Sequence, residues 1–423
     1  MTENGKATWP EPPAAGPLGD GRHARERLRP ATVAELRDMV REQVSRGSAI
    51  YPQGGATALD YGGPPGRPGV AIDTTAMAGV IDYPHADMTI TVQAGITASA
   101  LRAILAEKHQ RLQLDIPQAD RATLGGVYAT ATCGPRRFGL GRPRDQIVGV
   151  SFVTTEGVEV KGGGRVVKNV AGYDFPRLLT GSMGTLGIIT QMTLIVRPLP
   201  EASALCWAPF AALDPIASAL DALNTSAARP VAIDLLSPLA AKSMGEPLGL
   251  STEGWVVVIG LEDSAASVRW QTNRLLIELG RTDLKVLEDD ATSPLWSALT
   301  EFQAAESGPI SCVANLPPSR VVPFLQNVDA ARWSVQAHAG NGIVRLQGLG
   351  EWNLDEAAAE IDRLRGQAVR DGGNLILSRC PTGWKDRLRV WGEPRADWAL
   401  ARRIKQTLDP LGAFNPGRFV GGI

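Results

Sequence analysis

Three glycine-bearing segments carry the residues best placed to do chemistry, and the chemistry they suit is the binding of a diphosphate. They are Pro52-Gln53-Gly54-Gly55-Ala56-Thr57, then Ala122-Thr123-Leu124-Gly125-Gly126, then Val167-Lys168-Asn169-Val170-Ala171-Gly172-Tyr173-Asp174 running on to Gly181-Ser182-Met183-Gly184-Thr185-Leu186-Gly187. Each adjoins a short apolar run, and glycine there lets the backbone approach another group with no Cβ in the way. The common nucleotide motifs do not account for them. A P-loop needs Gly-Lys-Ser/Thr, a tripeptide the chain lacks. Gly181-x-x-Gly184-x-x-Gly187 departs from the Gly-x-Gly-x-x-Gly spacing, and a strand-like run over 188–196 follows where that motif opens a helix. What fits is a nest of consecutive main-chain N–H groups around a diphosphate. In Gly54-Gly55-Ala56-Thr57 only small side chains intervene, and each bond to a charged oxygen contributes roughly 1.5–3 kcal/mol. Three such loops suggest one large phosphate-bearing cofactor laid across all of them.

The elements that must position these loops alternate in type. Thr32 with Glu35 forms a capping box for a helix reaching about Arg46, and Ser48-Ala49-Ile50-Tyr51 enters the first glycine loop as a strand. Further short strands are expected at 70–73, at Ile81 and at 90–92, a helix over 97–108, and a hairpin formed by 148–154 and 158–160 about the Glu156-Gly157 turn. After Arg197-Pro198-Leu199-Pro200 the pattern changes. Strand-like runs at 231–236, 255–261, 334–337 and 343–347 interleave with helical ones at 215–223, 265–279 and 354–369. That alternation predicts a second α+β domain, an antiparallel sheet covered by helices. A last helix starts at Trp398 and ends before Asp409-Pro410.

Composition agrees with a soluble enzyme of two or three domains: 423 residues, 44% apolar and 21% charged. A net charge of −1 gives no pull toward nucleic acid or anionic lipid. No apolar run approaches the roughly 18 residues that span a bilayer. Residues 1–28 are Pro/Gly-rich without an apolar signal core, and are expected to be a disordered leader. Cys133, Cys206, Cys312 and Cys380 stand far apart with no Cys-x-x-Cys, which argues against a local zinc or iron–sulfur site and suits a reducing, cytoplasmic setting.

Residues 29 to about 200 resemble the FAD-binding domain of the vanillyl-alcohol oxidase and p-cresol methylhydroxylase superfamily, and most of the chain resembles the FAD-binding E subunits of bacterial glycolate oxidase (glycolate dehydrogenase). The resemblance rests on Pro-x-Gly-Gly-x-Thr at Pro52, Thr91-Val92-Gln93-Ala94-Gly95, Ala-Thr-Leu-Gly-Gly at Ala122, and Lys-Asn-Val-Ala-Gly-Tyr-Asp at Lys168. Gly-Ser-Met-Gly-Thr-Leu-Gly-Ile-Ile-Thr at Gly181 and the tail Asn415-Pro416-Gly417-Arg418 complete it. It implies an α+β protein. A p-cresol-methylhydroxylase-type FAD-binding domain of two α+β subdomains would occupy 29–200. An α+β substrate or cap domain, of the FAD-linked oxidase C-terminal type, would occupy 201–397, and 398–423 would return to the flavin domain. Pro52, Gln53, Gly54, Gly55, Ala56, Thr57, Gly95, Thr123, Gly125, Gly126, Arg137, Gly139, Lys168, Gly184, Thr185, Ile189 and Asn415 are then the candidate cofactor contacts. Relatives that attach FAD covalently place a histidine where this chain has Ala56, so FAD is expected to be non-covalent.

Oxidising a 2-hydroxy acid at a flavin needs a base for the hydroxyl proton, a cation for the carboxylate, and the α-carbon over flavin N5. His338, in His338-Ala339-Gly340-Asn341-Gly342, is the candidate base. Arg345 is the candidate carboxylate holder, with Arg379, Lys385, Arg387 and Arg389 as further cations. The related catalytic subunits hold a divalent metal with two histidines here and a Glu-His pair further on. In this chain the second histidine falls near Arg345 and the pair aligns with about Arg379-Cys380, so no metal is expected. The resemblance therefore implies an FAD-binding subunit that works with a paralogous catalytic flavoprotein and an iron–sulfur subunit. It would be cytoplasmic, or peripheral at the inner face of the membrane through that complex. The alternatives are a stand-alone FAD dehydrogenase for a hydroxy acid or sugar alcohol, and a flavin-stabilised structural subunit without turnover.

Overall fold

The computed structural model describes residues 15–164, 172–244 and 249–423. It forms two compact units, one of Met1–Thr132, Arg142–Pro198 and Lys385–Ile423, the other of Cys133–Gly141 and Leu199–Trp384. The boundaries thus differ from simple consecutive blocks: nine residues inside the first glycine-rich region belong to the second unit, and everything from Lys385 onward belongs to the first.

Part of the expected leader is structured. Strands β1 (Pro17–Gly19) and β2 (Arg22–His23) form a hairpin, and β3 (Arg27–Leu28) joins β4 (Ala49–Gln53) and β5 (Gly69–Asp73) in a parallel sheet of order β3-β5-β4. Proline and glycine content suggested disorder, but the segment gains its order from distant partners. Leu18 and Ala24 are fully buried, Arg27 pairs with Asp73 at 2.8 Å, and Asp20 pairs with Lys385 at 2.8 Å.

The helix Val33–Ser45 starts where the capping box places it: Thr32 Oγ1 accepts the Glu35 N–H at 3.1 Å, and the Glu35 carboxylate accepts the Ala31 N–H at 2.8 Å. Its Leu36 and Val40 pack with Ile50, Ile72 and Phe414. A five-stranded sheet, order β10-β9-β11-β7-β6, is built from β6 (Val80–Asp82), β7 (Thr89–Gln93), β9 (Ile147–Val153), β10 (Glu159–Gly163) and β11 (Ile188–Ile195). A small pair, β8 (Gln110–Arg111) with β12 (Arg197–Pro198), lies apart from it. The helices Ala98–Ala106 and Leu124–Thr130 cover the sheet, and their Leu101, Leu105, Leu124 and Tyr128 share one core with Ile90, Val92, Phe152 and Met192.

The second unit is one eight-stranded antiparallel sheet. Its strands are β13 (Ala202–Phe210), β14 (Ala232–Leu236), β15 (Trp255–Asp263), β16 (Lys285–Glu288), β17 (Ile310–Asn315), β18 (Trp333–His338), β19 (Ile343–Gly348) and β20 (Asn374–Arg379), in the order β16-β13-β15-β14-β18-β19-β17-β20. The apolar runs read as strands are β14, β15, β18 and β19. The runs read as helices are Asp214–Asn224, Ala265–Leu279 and Leu354–Arg370.

Candidate functional site

In the first unit the glycine loops meet one another. The β4 strand delivers Gly54 and Gly55 against the segment before the helix Leu124–Thr130. A Cβ on Gly54 would lie 1.9 Å from Thr123 Oγ1, and one on Gly55 would lie 1.6 Å from the Arg121 carbonyl oxygen. These glycines therefore let two loops cross, and do not by themselves open room for a ligand. Leu124 N–H and Gly125 N–H bond to the carbonyls of Ile96 and Ala94 at 2.9 and 2.8 Å, which brings the Gly95 turn into the same cluster. Gly184 lies close to Pro52, and Asn415 Nδ2 donates to Met183 O at 2.5 Å.

Backbone strain gathers at these loops. Ala56, Met183 and Asn415 all hold positive φ without being glycine, at 56°, 57° and 44°. Two buried hydroxyls, Thr123 Oγ1 and Ser182 Oγ, have no hydrogen-bond partner among the described residues. An unpaired buried hydroxyl is costly, so a polar group supplied from outside the chain suits both. Other candidate contacts are spent within the protein. Gln53 Nε2 donates to Pro17 O at 2.9 Å, Thr185 Oγ1 donates to Ser182 O at 2.7 Å, and Ile189 lies in the apolar core. Lys168 lies outside the described residues.

A buried pair pins this cluster from below. Lys405 Nζ donates to Thr185 O, Phe414 O and Asp409 Oδ2 at 2.7, 2.8 and 2.5 Å. Burial pushes the Lys405 ammonium below its ordinary value, against the opposing pull of Asp409. Lys385 is likewise structural, donating to Gly62 O at 3.0 Å besides its pair with Asp20. It is therefore not a cation for substrate.

The second unit assembles a different site. On a strand, residues two apart share a face, and directly opposed residues on neighbouring strands share it too. Gln336 lies opposite Arg345, and His338 opposite Asp234, so all four side chains stand on one face of the sheet. His338 and Asp234 are almost fully buried, and His338 Nδ1 lies 2.8 Å from Asp234 Oδ1. Gln336 Nε2 donates to Asp234 Oδ2 at 2.7 Å and to Leu299 O at 2.9 Å. Arg345 Nε donates to His338 Nε2 at 3.3 Å, and Arg345 Nη2 to Cys133 O at 3.1 Å.

Arg137 and Gly139 belong to this second unit. Arg137 Nη1 donates to Cys133 Sγ at 3.4 Å, and Gly139 N–H to Val231 O at 3.0 Å. Two guanidinium groups thus meet on one residue, Cys133. Arg379 Nη2 donates to Gly308 O at 2.8 Å, and its neighbour Cys380 is buried.

Both ring nitrogens of His338 are engaged, so it is not presented as an exposed base. Asp234 was absent from the expected site. Its signal is a single carboxylate inside the apolar run Ala232-Ile233-Asp234-Leu235-Leu236, where every residue is buried.

The chain matches two described families: "FAD binding domain" over residues 25–163 and "FAD linked oxidases, C-terminal domain" over 391–419. It is 34% identical over 365 residues to the glycolate oxidase subunit GlcE of Escherichia coli strain K12, covering 84% of this chain and 88% of that one. It is 25% identical over 417 residues to the D-2-hydroxyglutarate dehydrogenase of Xanthomonas citri pv. viticola, covering 92% and 88%. In fold it matches p-cresol methylhydroxylase with substrate bound, at a TM-score of 0.72 and 15% identity, covering 96% and 91%.

Proposed function

This chain belongs to the FAD-linked oxidase family that includes the glycolate oxidase subunit GlcE, and we propose that it holds FAD without a covalent bond and serves the oxidation of a 2-hydroxy acid such as glycolate. In this reading it works beside a paralogous catalytic flavoprotein and an iron–sulfur subunit. The observation that carries the reading is Arg345, a guanidinium tied at two points on the polar face of the second unit's sheet. A planar cation held in a fixed orientation suits a carboxylate, the planar anion that a guanidinium matches.

FAD, when bound, would supply the hydride acceptor for the oxidation. The first unit would hold it through main-chain N–H groups of the crossed loops, with Thr123 Oγ1 and Ser182 Oγ as further contacts. Ala56 offers no nitrogen for a covalent link. In the second unit Arg345 takes the substrate carboxylate, and Arg137 adds a second positive charge beside Cys133. A guanidinium would thereby supply the positive charge that the carboxylate needs.

Electron exit needs a partner or a soluble acceptor. The four cysteines are all buried, and they stand far apart in the chain. No described helix is long and apolar enough to cross a membrane, and we place the complex in the cytoplasm, with any membrane contact made by its partners. A structural subunit without turnover is the second reading, and the engagement of both His338 nitrogens favours it.

Purified chain should be yellow and should release intact FAD on acid precipitation. Flavin that stays with the precipitate would contradict non-covalent binding. Anaerobic mixing with glycolate separates the two readings: slow bleaching alone, and a strict requirement for the chain in quinone-linked turnover of the reconstituted complex, support the first. Turnover of the complex undiminished by Arg345→Met would support the second.

A further inference from the structure

We infer that Asp234 is a positioning residue: it fixes the tautomer of His338, and through His338 it fixes the plane of the Arg345 guanidinium. The inference deepens the proposed function and rests on it for the identity of the ligand, a small carboxylate, but not for the chemistry of the relay.

The relay runs across three strands. Asp234 Oδ1 lies 2.8 Å from His338 Nδ1, and His338 Nε2 lies 3.3 Å from Arg345 Nε. Arginine can only donate, so Nε2 must be the acceptor and the ring proton must sit on Nδ1. An ionised carboxylate can only accept, which demands the same tautomer from the other end. The opposite tautomer would set a lone pair against Asp234 and an N–H against the Arg345 N–H. One buried carboxylate thus decides which way a buried imidazole presents its lone pair.

Gln336 holds Asp234 in turn. Its Nε2 donates both to Asp234 Oδ2 at 2.7 Å and to Leu299 O at 2.9 Å, and the second bond prevents its amide from turning over. This makes Asp234→Asn an informative variant of nearly unchanged shape. The asparagine oxygen must accept from Gln336, so its NH₂ group must face His338. Nδ1 then becomes an acceptor and the ring proton moves to Nε2, toward the Arg345 N–H.

The test uses the full-length, FAD-loaded chain labelled with ¹⁵N-histidine. The chain has four histidines, and His338→Gln identifies the resonances of interest. Long-range ¹H–¹⁵N correlation should place the His338 proton on Nδ1 in the native protein and on Nε2 in Asp234→Asn. Oxalate, a carboxylate the flavin cannot oxidise, is then titrated by isothermal calorimetry. Its Kd should rise roughly 10- to 100-fold in Asp234→Asn, with FAD content unchanged. The effect should nearly vanish in an Arg345→Met background, because both changes act through one group.

A native proton on Nε2 overturns the inference without any variant. So does an oxalate Kd unmoved by Asp234→Asn, or an effect that adds in full to that of Arg345→Met. If Arg345→Met alone leaves oxalate binding intact, the carboxylate reading fails, while the histidine spectra still decide the role of Asp234.

Discussion

Arg345 Nε donates to His338 Nε2 at 3.3 Å, and that bond takes up the ring lone pair a base would need. Removing the imidazole should therefore act on binding more than on chemistry. His338→Ala is expected to raise KM for the hydroxy acid about tenfold, the size of one lost supporting hydrogen bond to a charged group. The rate at saturation should fall far less than the roughly 10²–10⁴-fold of a lost general base. Stopped-flow flavin reduction resolves the split; a collapse in the saturated rate with KM unchanged would restore His338 as the base.

Gly55 and Gly126 should behave oppositely. A side chain at Gly55 collides with the Arg121 carbonyl at 1.6 Å, so Gly55→Val should break the crossing of the two loops and empty the flavin site. Gly126 is exposed on the helix Leu124–Thr130, where a Cβ meets nothing closer than Thr123 Oγ1 at 3.4 Å. Gly126→Ala should stabilise the apoprotein by about 0.5–1 kcal/mol, the helical gain of alanine over glycine, yet lower FAD affinity if the diphosphate lies on that backbone. Apoprotein Tm and the ratio of flavin to protein absorbance read the two effects separately.

Breaking the buried Lys405–Asp409 pair should cost more than any surface change. Their side chains are 8% and 0% exposed, and Lys405→Met leaves the Asp409 carboxylate without its counter-charge. About 3–5 kcal/mol of stability should be lost. Flavin should be released at lower denaturant concentration too, because Lys405 also ties Thr185 O and Phe414 O. Flavin fluorescence against urea measures it, and an unchanged midpoint would contradict the role given to this pair.

Acid should loosen the same unit through Asp73. Burial, the largest single influence, raises its carboxyl. The two bonds from Thr75 and the Arg27 guanidinium together outweigh burial and hold the group below its ordinary value. A carboxyl with a lowered folded value stabilises above its unfolded pKa, about 3.9, and loses that contribution as pH falls through the folded one. Asp73→Asn should thus lower Tm at neutral pH, with the gap to the native protein closing below about pH 4. A gap that is constant with pH would show that the carboxylate charge does not matter.

What was legible in the chain follows from local physics. The capping Thr32, the helix Ala265–Leu279 and the antiparallel second sheet declare themselves through caps and apolar periodicity. His338 and Arg345 were recognisable, but their joint geometry was not, because it depends on Asp234 from a strand a hundred residues earlier. The polar alternation Ser334-x-Gln336-x-His338 on a buried strand was the available clue. Residues 15–28 misled for a related reason. Their order comes from pairs such as Asp20 with Lys385, and no window of local sequence contains both partners. The segment Cys133–Gly141 follows the helix Leu124–Thr130 in sequence yet folds with the other unit, since Cys133 O and Gly139 N–H find their partners there.

The decisive measurement is an oxalate titration of chelator-treated, FAD-loaded native protein and its Arg345→Met variant. Native protein should bind without added metal, and the variant should bind roughly 10- to 100-fold more weakly at unchanged flavin content. Binding that disappears with the chelator, returns with zinc or manganese, and ignores the loss of Arg345 would show that a metal, and not this guanidinium, grips the acid.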